Sequence, residues 1–444
     1  MNVNEKIFKS YDIRGIYPDE INEDAAAVIA RAYDRLIGSR KIVVGRDMRL
    51  ASPALTEMFI RTMLGLGADV VDIGEVPVDA FYYYLGTAGL DGGVYCTASH
   101  NPKEYHGFKC FKKNIDTVRG VDLKEVLGKI DFSKKSSQPG TLEKKDIMEE
   151  FIRYILTFSD VSKIRPFRVV VDAGNGMAGK TIPYLQKHLP ISITPLSFEL
   201  DGNFPSHPSN PLEPESQKVI IKKVVDTGAD LGVIFDGDSD RVFFVDETGR
   251  FVPADMTLLI LAKYVIAKNP GAGVVYNAIC SRAVSEFVEK WGGKSYRSRV
   301  GFVNVSECMK KNDAMLGGEV SAHYAFKDNF FADSGNIAFL QVLQILSEDE
   351  KKLSELLDEL RIYVRGDELN IRVEDIPSKI RVIQEKYSDG KHDHLDGITV
   401  SYEDYWFNVR PSNTEPLLRI TIEAKDKRTV QEKQNELLNF IENN

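Results

Sequence analysis

The chain has 444 residues, 43% of them apolar, with a formal net charge of −9, so it is too long for one ordinary core and three or four globular domains are expected. An acidic balance without a long basic run argues against nucleic acid and anionic membranes as main partners, and no apolar stretch approaches the ~20 residues that span a bilayer. The polar start, Met1 to Lys6, predicts no signal peptide, and Cys96, Cys110, Cys280 and Cys308, without C-x-x-C spacing, read as reduced thiols of a cytoplasmic protein.

Residues Pro53–Leu66 carry helical periodicity. The next informative element is the apolar run Asp91–Cys96, which reads as an inner strand of an α/β sheet. It leads into Thr97-Ala98-Ser99-His100-Asn101-Pro102. Ligands of open α/β sheets gather at the carboxyl ends of strands, and Pro102 forces a turn. Ser99 is therefore a candidate nucleophile, with His100 and Lys109 as candidate helpers. A strand-to-helix turn with Ser99 as an N-cap fits the same letters. Cys96 reads as a packing residue. The charged stretch Lys129–Lys145, with Ser136-Ser137-Gln138-Pro139-Gly140, reads as a linker.

Arg168–Asp172 is the next predicted strand. It opens into Gly174-Asn175-Gly176-Met177-Ala178-Gly179-Lys180-Thr181, which matches the phosphate-binding pattern G-x-x-x-x-G-K-[ST] in strand–loop–helix context. The same letters contain a dinucleotide fingerprint, with Glu199 near the spacing of a ribose contact. An ATP-dependent kinase is a reading these residues allow. A helix is predicted over Ser216–Thr227. The buried run Leu231–Phe235 then ends in Asp236-Gly237-Asp238-Ser239-Asp240-Arg241. Three carboxylates at alternate positions suit a hard divalent cation, and magnesium would accept a phosphate oxygen as a further ligand. Asp236, Asp238, Asp240 and Glu247 also fall on EF-hand spacing, but Arg241 stands where that loop needs glycine and Val242–Val245 reads as a strand.

Beyond the predicted helix Thr257–Ala267 lies Gly317-Gly318-Glu319-Val320-Ser321-Ala322-His323-Tyr324, whose carboxylate, hydroxyl and imidazole can hold vicinal sugar hydroxyls. His392 and His394 have the look of metal ligands but read as an exposed turn. Strands are predicted at Ile398–Tyr402 and Leu418–Glu423, flanking Arg410-Pro411-Ser412-Asn413-Thr414-Glu415-Pro416. An arginine fork with hydroxyl and amide donors is a phosphate clamp, or a surface turn set by two prolines. Thr429–Ile441 is an amphipathic closing helix.

Asp91–His100 and Asp230–Arg241 form a loose repeat, with Ala314–His323 a weaker third copy. Alternating strands and helices predict an α/β fold of three similar mixed-sheet domains plus a smaller C-terminal α+β domain around a central cleft. The expected domains are 1–150, 151–250, 251–365 and 366–444, with a hinge admitting substrate.

These loops, in this order, resemble the α-D-phosphohexomutase family, most closely its phosphomannomutase/phosphoglucomutase branch. The resemblance spans the chain through Tyr11-Asp12-Ile13-Arg14-Gly15, Gly45-Arg46-Asp47-Met48-Arg49, Asp201-Gly202-Asn203-Phe204-Pro205, Asn210-Pro211-Leu212-Glu213-Pro214 and Ala332-Asp333-Ser334-Gly335. It implies interconversion of hexose 1-phosphate and hexose 6-phosphate, of mannose or glucose, through phosphoserine at Ser99 and a hexose 1,6-bisphosphate. Asp236, Asp238, Asp240 and phosphorylated Ser99 would hold Mg²⁺. Arg14, Lys109 and Arg241 would supply cations, with His100 beside the serine. Glu319, Ser321 and His323 would hold the sugar. Arg410, Ser412, Asn413 and Thr414 would grip the unreacting phosphate, with Tyr11 and Arg419 completing the substrate contacts. The partner would be a small sugar phosphate, the state a monomer or homodimer. Phosphoglucosamine mutase is the alternative within the family, and a phosphatase or an inactive sugar-phosphate binder the alternatives outside it. Three positions depart from the pattern: His106 for the usual asparagine, Phe302 after Gly301 where histidine is frequent, and Ile279 where some members carry lysine.

Overall fold

The computed structural model describes residues 3–373, 375–412 and 417–443. The chain forms two compact units. The first comprises Met1–Val252 and Ala322–Ser354, the second Pro253–Ser321 and Glu355–Asn444.

The first unit is built on two mixed sheets. The seven-stranded sheet places Ile13–Ile16, Tyr105–Lys112, Gly92–Cys96, Lys41–Arg46, Asp69–Glu75 and Leu142–Lys144 side by side, with Asp116–Val118 paired to Tyr105–Lys112. Its central strand Gly92–Cys96 is buried along its whole length, as strands covered on both faces are. Ile29, Tyr33, Leu55, Phe59, Val94 and Phe108 belong to the core that covers one face. The four-stranded sheet has the order Val242–Asp246, Leu231–Phe235, Phe167–Asp172, Ile191–Leu196. Only the Val242–Asp246 pairing is antiparallel. A short hairpin, Tyr324–Phe326 with Ala332–Asp333, leads to the helix Gly335–Glu348, capped by the Ser334 side chain.

In the second unit the strands Lys294–Ser298, Gly273–Asn277 and Leu316–Gly318 lie parallel, alongside the helices Ala254–Lys268, Ala283–Lys290 and Phe302–Asn312. The terminal portion is a six-stranded antiparallel sheet centred on Tyr405–Pro411 and Leu417–Ala424. Its core draws Ile383 and Leu437 from the helices Ile376–Lys386 and Lys427–Asn443 onto Ile398, Phe407 and Ile420. Mixed sheets with helices recur throughout, and the antiparallel terminal sheet matches the expected α+β ending.

The stretch expected as a linker is largely docked. Leu142–Lys144 forms an edge strand on Asp69–Glu75, and Ser136 and Gly140 donate backbone bonds to Gly65 and Leu64. Its three strand residues are exposed, so no apolar alternation marks them in the sequence. His392 lies on the strand Lys391–Asp393, and its Nε2 contacts the Tyr387 carbonyl at 2.7 Å. Among the described residues no helix is long and apolar enough to cross a membrane.

Candidate active site

Two strand ends place the reactive loops together within the first unit. Gly92–Cys96 delivers Ser99, and Leu231–Phe235 delivers Asp236, Asp238 and Asp240. Each loop turns on a non-glycine residue in the left-handed region, Ser99 at φ 50° and Ser239 at φ 68°. Ala322, after the third repeat-like strand, has φ 66°. The loops meet so closely that a Cβ on Gly237 would lie 2.8 Å from the Ser99 carbonyl oxygen.

The Ser99 hydroxyl donates to Asp236 Oδ2 at 3.0 Å and lies 3.5 Å from His100 Nδ1. Its backbone N–H donates to Thr97 Oγ1 at 2.8 Å, and Thr97 Oγ1 donates to Asp238 at 3.1 Å. Lys109, on the neighbouring strand, reaches Asp238 at 2.8 Å and Asp240 at 2.7 Å. Arg14 donates to Asp12 at 2.7 Å, to the Ala98 carbonyl at 3.3 Å and to the Asn101 side chain. Ser99, His100, Lys109, Arg14, Arg241 and the three aspartates are thus one cluster.

All three aspartates are buried, and their carboxylate oxygens lie within 4.8 Å of one another. Asp238 Oδ1 and Asp240 Oδ1 have no hydrogen-bond partner. An all-oxygen donor set with spare buried lone pairs fits a hard divalent cation. Burial, then Asp240 and Asp238, holds Asp236 well above the usual carboxylate range. Burial pushes Asp240 the same way, but Lys109 and Arg241 outweigh it and leave Asp240 below that range. Burial also lowers Lys109, yet Asp238 and Asp240 more than offset it, so the ammonium is held well above its ordinary value. Burial, Arg241 and Arg14 push His100 well below the ordinary imidazole value, keeping it neutral.

His323 sits at this cluster through a relay that the sequence does not announce. Arg241 Nε donates to His323 Nε2 at 2.9 Å, and His323 Nδ1 lies 2.5 Å from Asp333 Oδ2. Arginine is only a donor, so Nε2 is the bare nitrogen and Nδ1 carries the proton. Both ring nitrogens are engaged, where sequence reading expected a sugar contact. Asp333 was visible only as part of an Ala-Asp-Ser-Gly motif.

The remaining candidates belong to the second unit, apart from Tyr11, which is half-buried before the first strand of the first unit. Glu319 is buried, and its Oε1 accepts from Asn277 Nδ2 at 3.1 Å and Gly301 N at 2.8 Å. Ser321 donates to Glu319 Oε2 at 3.3 Å. Arg410 and Arg419 face each other across paired strands and share Glu368, at 3.0 and 3.5 Å. Ser412 N donates to the Leu417 carbonyl at 2.8 Å. Asn413 and Thr414 lie outside the described residues. Ile279 and His106 are buried, and Phe302 begins a helix.

The phosphate-loop-like segment is closed by its own protein. Met177 N donates to the Gly237 carbonyl at 2.9 Å, Gly176 N to Ala173 at 2.7 Å and Asn175 N to Ser197 at 2.8 Å. A Cβ on Gly176 would lie 2.6 Å from the Gly237 oxygen. The Lys180 ammonium donates to the Glu75 carbonyl. Amides that would cradle a nucleotide phosphate are already spent on carbonyls, so the motif is a packed strand-to-helix turn.

Comparison with known proteins gives a consistent result. The chain matches "Phosphoglucomutase/phosphomannomutase, alpha/beta/alpha domain I" over residues 5–130, domain II over 149–249, domain III over 253–363, and the C-terminal domain over 368–439. It is 37% identical to a phosphomannomutase of Methanocaldococcus jannaschii, covering 98% of this chain and 97% of that protein. It is 35% identical to a phosphomannomutase/phosphoglucomutase of Pseudomonas aeruginosa, covering 94% and 91%. A crystal structure of a phosphoglucomutase/phosphomannomutase family protein from Burkholderia thailandensis superposes with a TM-score of 0.90 at 30% identity, covering 99% and 98%.

Proposed function

The chain belongs to the phosphoglucomutase/phosphomannomutase family, and from that premise we propose a mutase that exchanges the phosphoryl group of a hexose between O1 and O6, with Ser99 as the carrier. One observation supports the assignment of Ser99: its hydroxyl donates to Asp236 within a buried group of three carboxylates that Lys109 also enters, through Asp238 and Asp240.

The working form is phosphoserine at Ser99. A hydroxyl of the hexose monophosphate attacks phosphorus, its O–P bond forms, and the bond from phosphorus to Ser99 Oγ breaks. The attacking hydroxyl loses its proton, and Oγ gains one. Neutral His100, beside Oγ, can pass that proton. The product of this half-reaction is a hexose 1,6-bisphosphate, which returns its other phosphoryl group to Ser99 in the reverse of the same step. Mg²⁺, held by Asp236, Asp238 and Asp240, would supply further positive charge against the phosphoryl oxygens. Arg14, Lys109 and Arg241 are fixed cations around the same point, as positioning chemistry requires. Arg241 is aimed by His323 and Asp333.

Substrate recognition falls to the second unit in this reading. Glu319 and Ser321 bind sugar hydroxyls, Arg410, Ser412, Asn413, Thr414 and Arg419 the non-reacting phosphate, and Tyr11 is a further proposed substrate contact. Glucose and mannose phosphates are the proposed substrates.

The test is a panel of glucose, mannose and glucosamine 1-phosphates with Mg²⁺ and glucose 1,6-bisphosphate, with isomer and free phosphate quantified. Isomer formation without phosphate release is expected. Phosphate release matching substrate loss would make the protein a phosphatase, and turnover of glucosamine phosphate alone would move it to that branch.

A further inference from the structure

We propose that Arg49 is a positioning residue that holds the Ser99 loop in its reactive shape, an inference that rests on Ser99 being the phosphoryl carrier. The Arg49 side chain is 0% exposed. Its Nη2 donates to the carbonyls of Ser99 at 2.7 Å and Asn101 at 2.5 Å. Its Nη1 donates to those of Pro102 and Tyr105, both at 2.9 Å. Nε faces Asp47 Oδ2 at 3.4 Å. Four of the five N–H groups of the guanidinium are thereby hydrogen-bonded to one seven-residue segment, while Nε has no hydrogen bond and is held only by the ion pair with Asp47.

The loop needs such a holder. Ser99 has φ 50°, a conformation that a residue with a Cβ rarely adopts. Its carbonyl lies beyond the strand end at Cys96, outside any ladder, and Arg49 supplies a donor to it. The guanidinium is itself fixed. Asp47 accepts from Ser52 at 2.6 Å, and its backbone N–H binds the Cys96 carbonyl at 3.0 Å. The Phe204 ring covers the guanidinium, 4.9 Å from its centroid. Ser209 adds a second donor to the Asn101 carbonyl at 3.2 Å. The segment around 202–209 thus closes over Arg49. Arg49 acts through backbone, and its donors go to carbonyls and to Asp47, not to the phosphoryl group.

A lysine cannot reproduce this. Its three donors converge on one atom, whereas the four carbonyls are spread over the fork of the guanidinium. The deciding experiment compares wild type with Arg49→Lys for the rate at which glucose 1,6-bisphosphate phosphorylates Ser99, read as the phosphopeptide mass. Steady-state kcat and KM and amide exchange over residues 97–106 are measured alongside. The expected result for a folded variant is a fall of 100-fold or more in phosphorylation rate and kcat, a sugar-phosphate KM within threefold, and faster exchange confined to the loop. A folded variant with phosphorylation within threefold of wild type overturns the inference, as does a loss carried by KM alone. Wild type that never acquires phosphate on Ser99 overturns the mutase reading instead. If Arg49→Lys does not fold, exchange in wild type decides. Amides of Ser99, Asn101 and Tyr105 must then be protected like those of the strand Gly92–Cys96, and exchange at rates of an open loop refutes the clamp.

Discussion

Ser99 donates its hydroxyl proton to Asp236 at 3.0 Å, a bond between loops 137 residues apart in the chain. The two loops come from the ends of strands in different sheets. The left-handed turns at Ser99 and Ser239 make that approach possible.

Removing the Ser99 hydroxyl, the proposed carrier, tests the chemistry directly. Ser99→Ala is expected to lower kcat by a factor on the order of 10³ or more. The corresponding peptide should show no mass gain of about 80 Da after exposure to hexose bisphosphate. A coupled isomerisation assay with peptide mass spectrometry checks both, and full-speed turnover by the variant would exclude Ser99 as carrier.

Lys109 neutralises two buried carboxylates, so its removal should cost stability as well as activity. Lys109→Met removes the nearest cation from Asp238 and Asp240 and is expected to destabilise the first unit by about 3 kcal/mol. Millimolar Mg²⁺ should restore part of that loss. Thermal melts with and without the cation measure it, and a variant as stable as wild type without Mg²⁺ would contradict the charge assignment.

His106 sets an acid limit. Burial, with a smaller contribution from Arg49, lowers its pKa to about 4. The folded state therefore resists a proton that the unfolded chain accepts near pH 6.5. Its contribution to stability is present above pH 6.5 and is lost as pH falls toward 4. His106→Asn should lose less stability than wild type across that window, by roughly 2 kcal/mol. Parallel denaturant titrations at pH 7 and pH 4 give the comparison, and equal losses would show that the imidazole is not responsible.

His207 has the opposite sign. Burial lowers its pKa, but Asp172 at 3.1 Å outweighs this, and Nδ1 faces the Pro208 carbonyl at 2.8 Å. Two acceptors call for the doubly protonated ring. Its stabilising effect is complete below pH 6.5 and fades as pH rises through the raised folded value. Amide exchange over residues 198–209 should quicken with pH beyond the intrinsic rate change, and His207→Gln should remove that excess. Identical excess in the variant would place the effect elsewhere.

Lys180 separates the mutase from a nucleotide enzyme. It is bound to a carbonyl of Glu75, so Lys180→Ala should keep mutase turnover within about threefold and cost about 1 kcal/mol of stability. Loss of all turnover, or any ATP-dependent activity in wild type, would restore the kinase.

Much of the site was legible before folding. Strand runs ending in Ser99 and in Asp236-Gly237-Asp238-Ser239-Asp240 carry both a period and a residue type that few structural roles require. The match of Gly174 to Thr181 shows the converse, because a local pattern cannot say whether its amides remain free. Leu142–Lys144 escaped notice because both faces of that edge strand are exposed. Glu368, shared by Arg410 and Arg419, escaped because it lies 42 and 51 residues from them, in the connection between the strands Val364–Arg365 and Leu369–Arg372.

The sequence alone marked the alternation of strands and helices, Ser99 as the proposed carrier and the three aspartates opposite it, because those depend on short-range periodicity and on side-chain chemistry. Tertiary structure decided what aims them: Arg49 beneath the Ser99 carbonyl, and Asp333 and His323 behind Arg241. These contacts join positions whose separation has no fixed period, so only the packed chain, with its buried donors obliged to find acceptors, selects them.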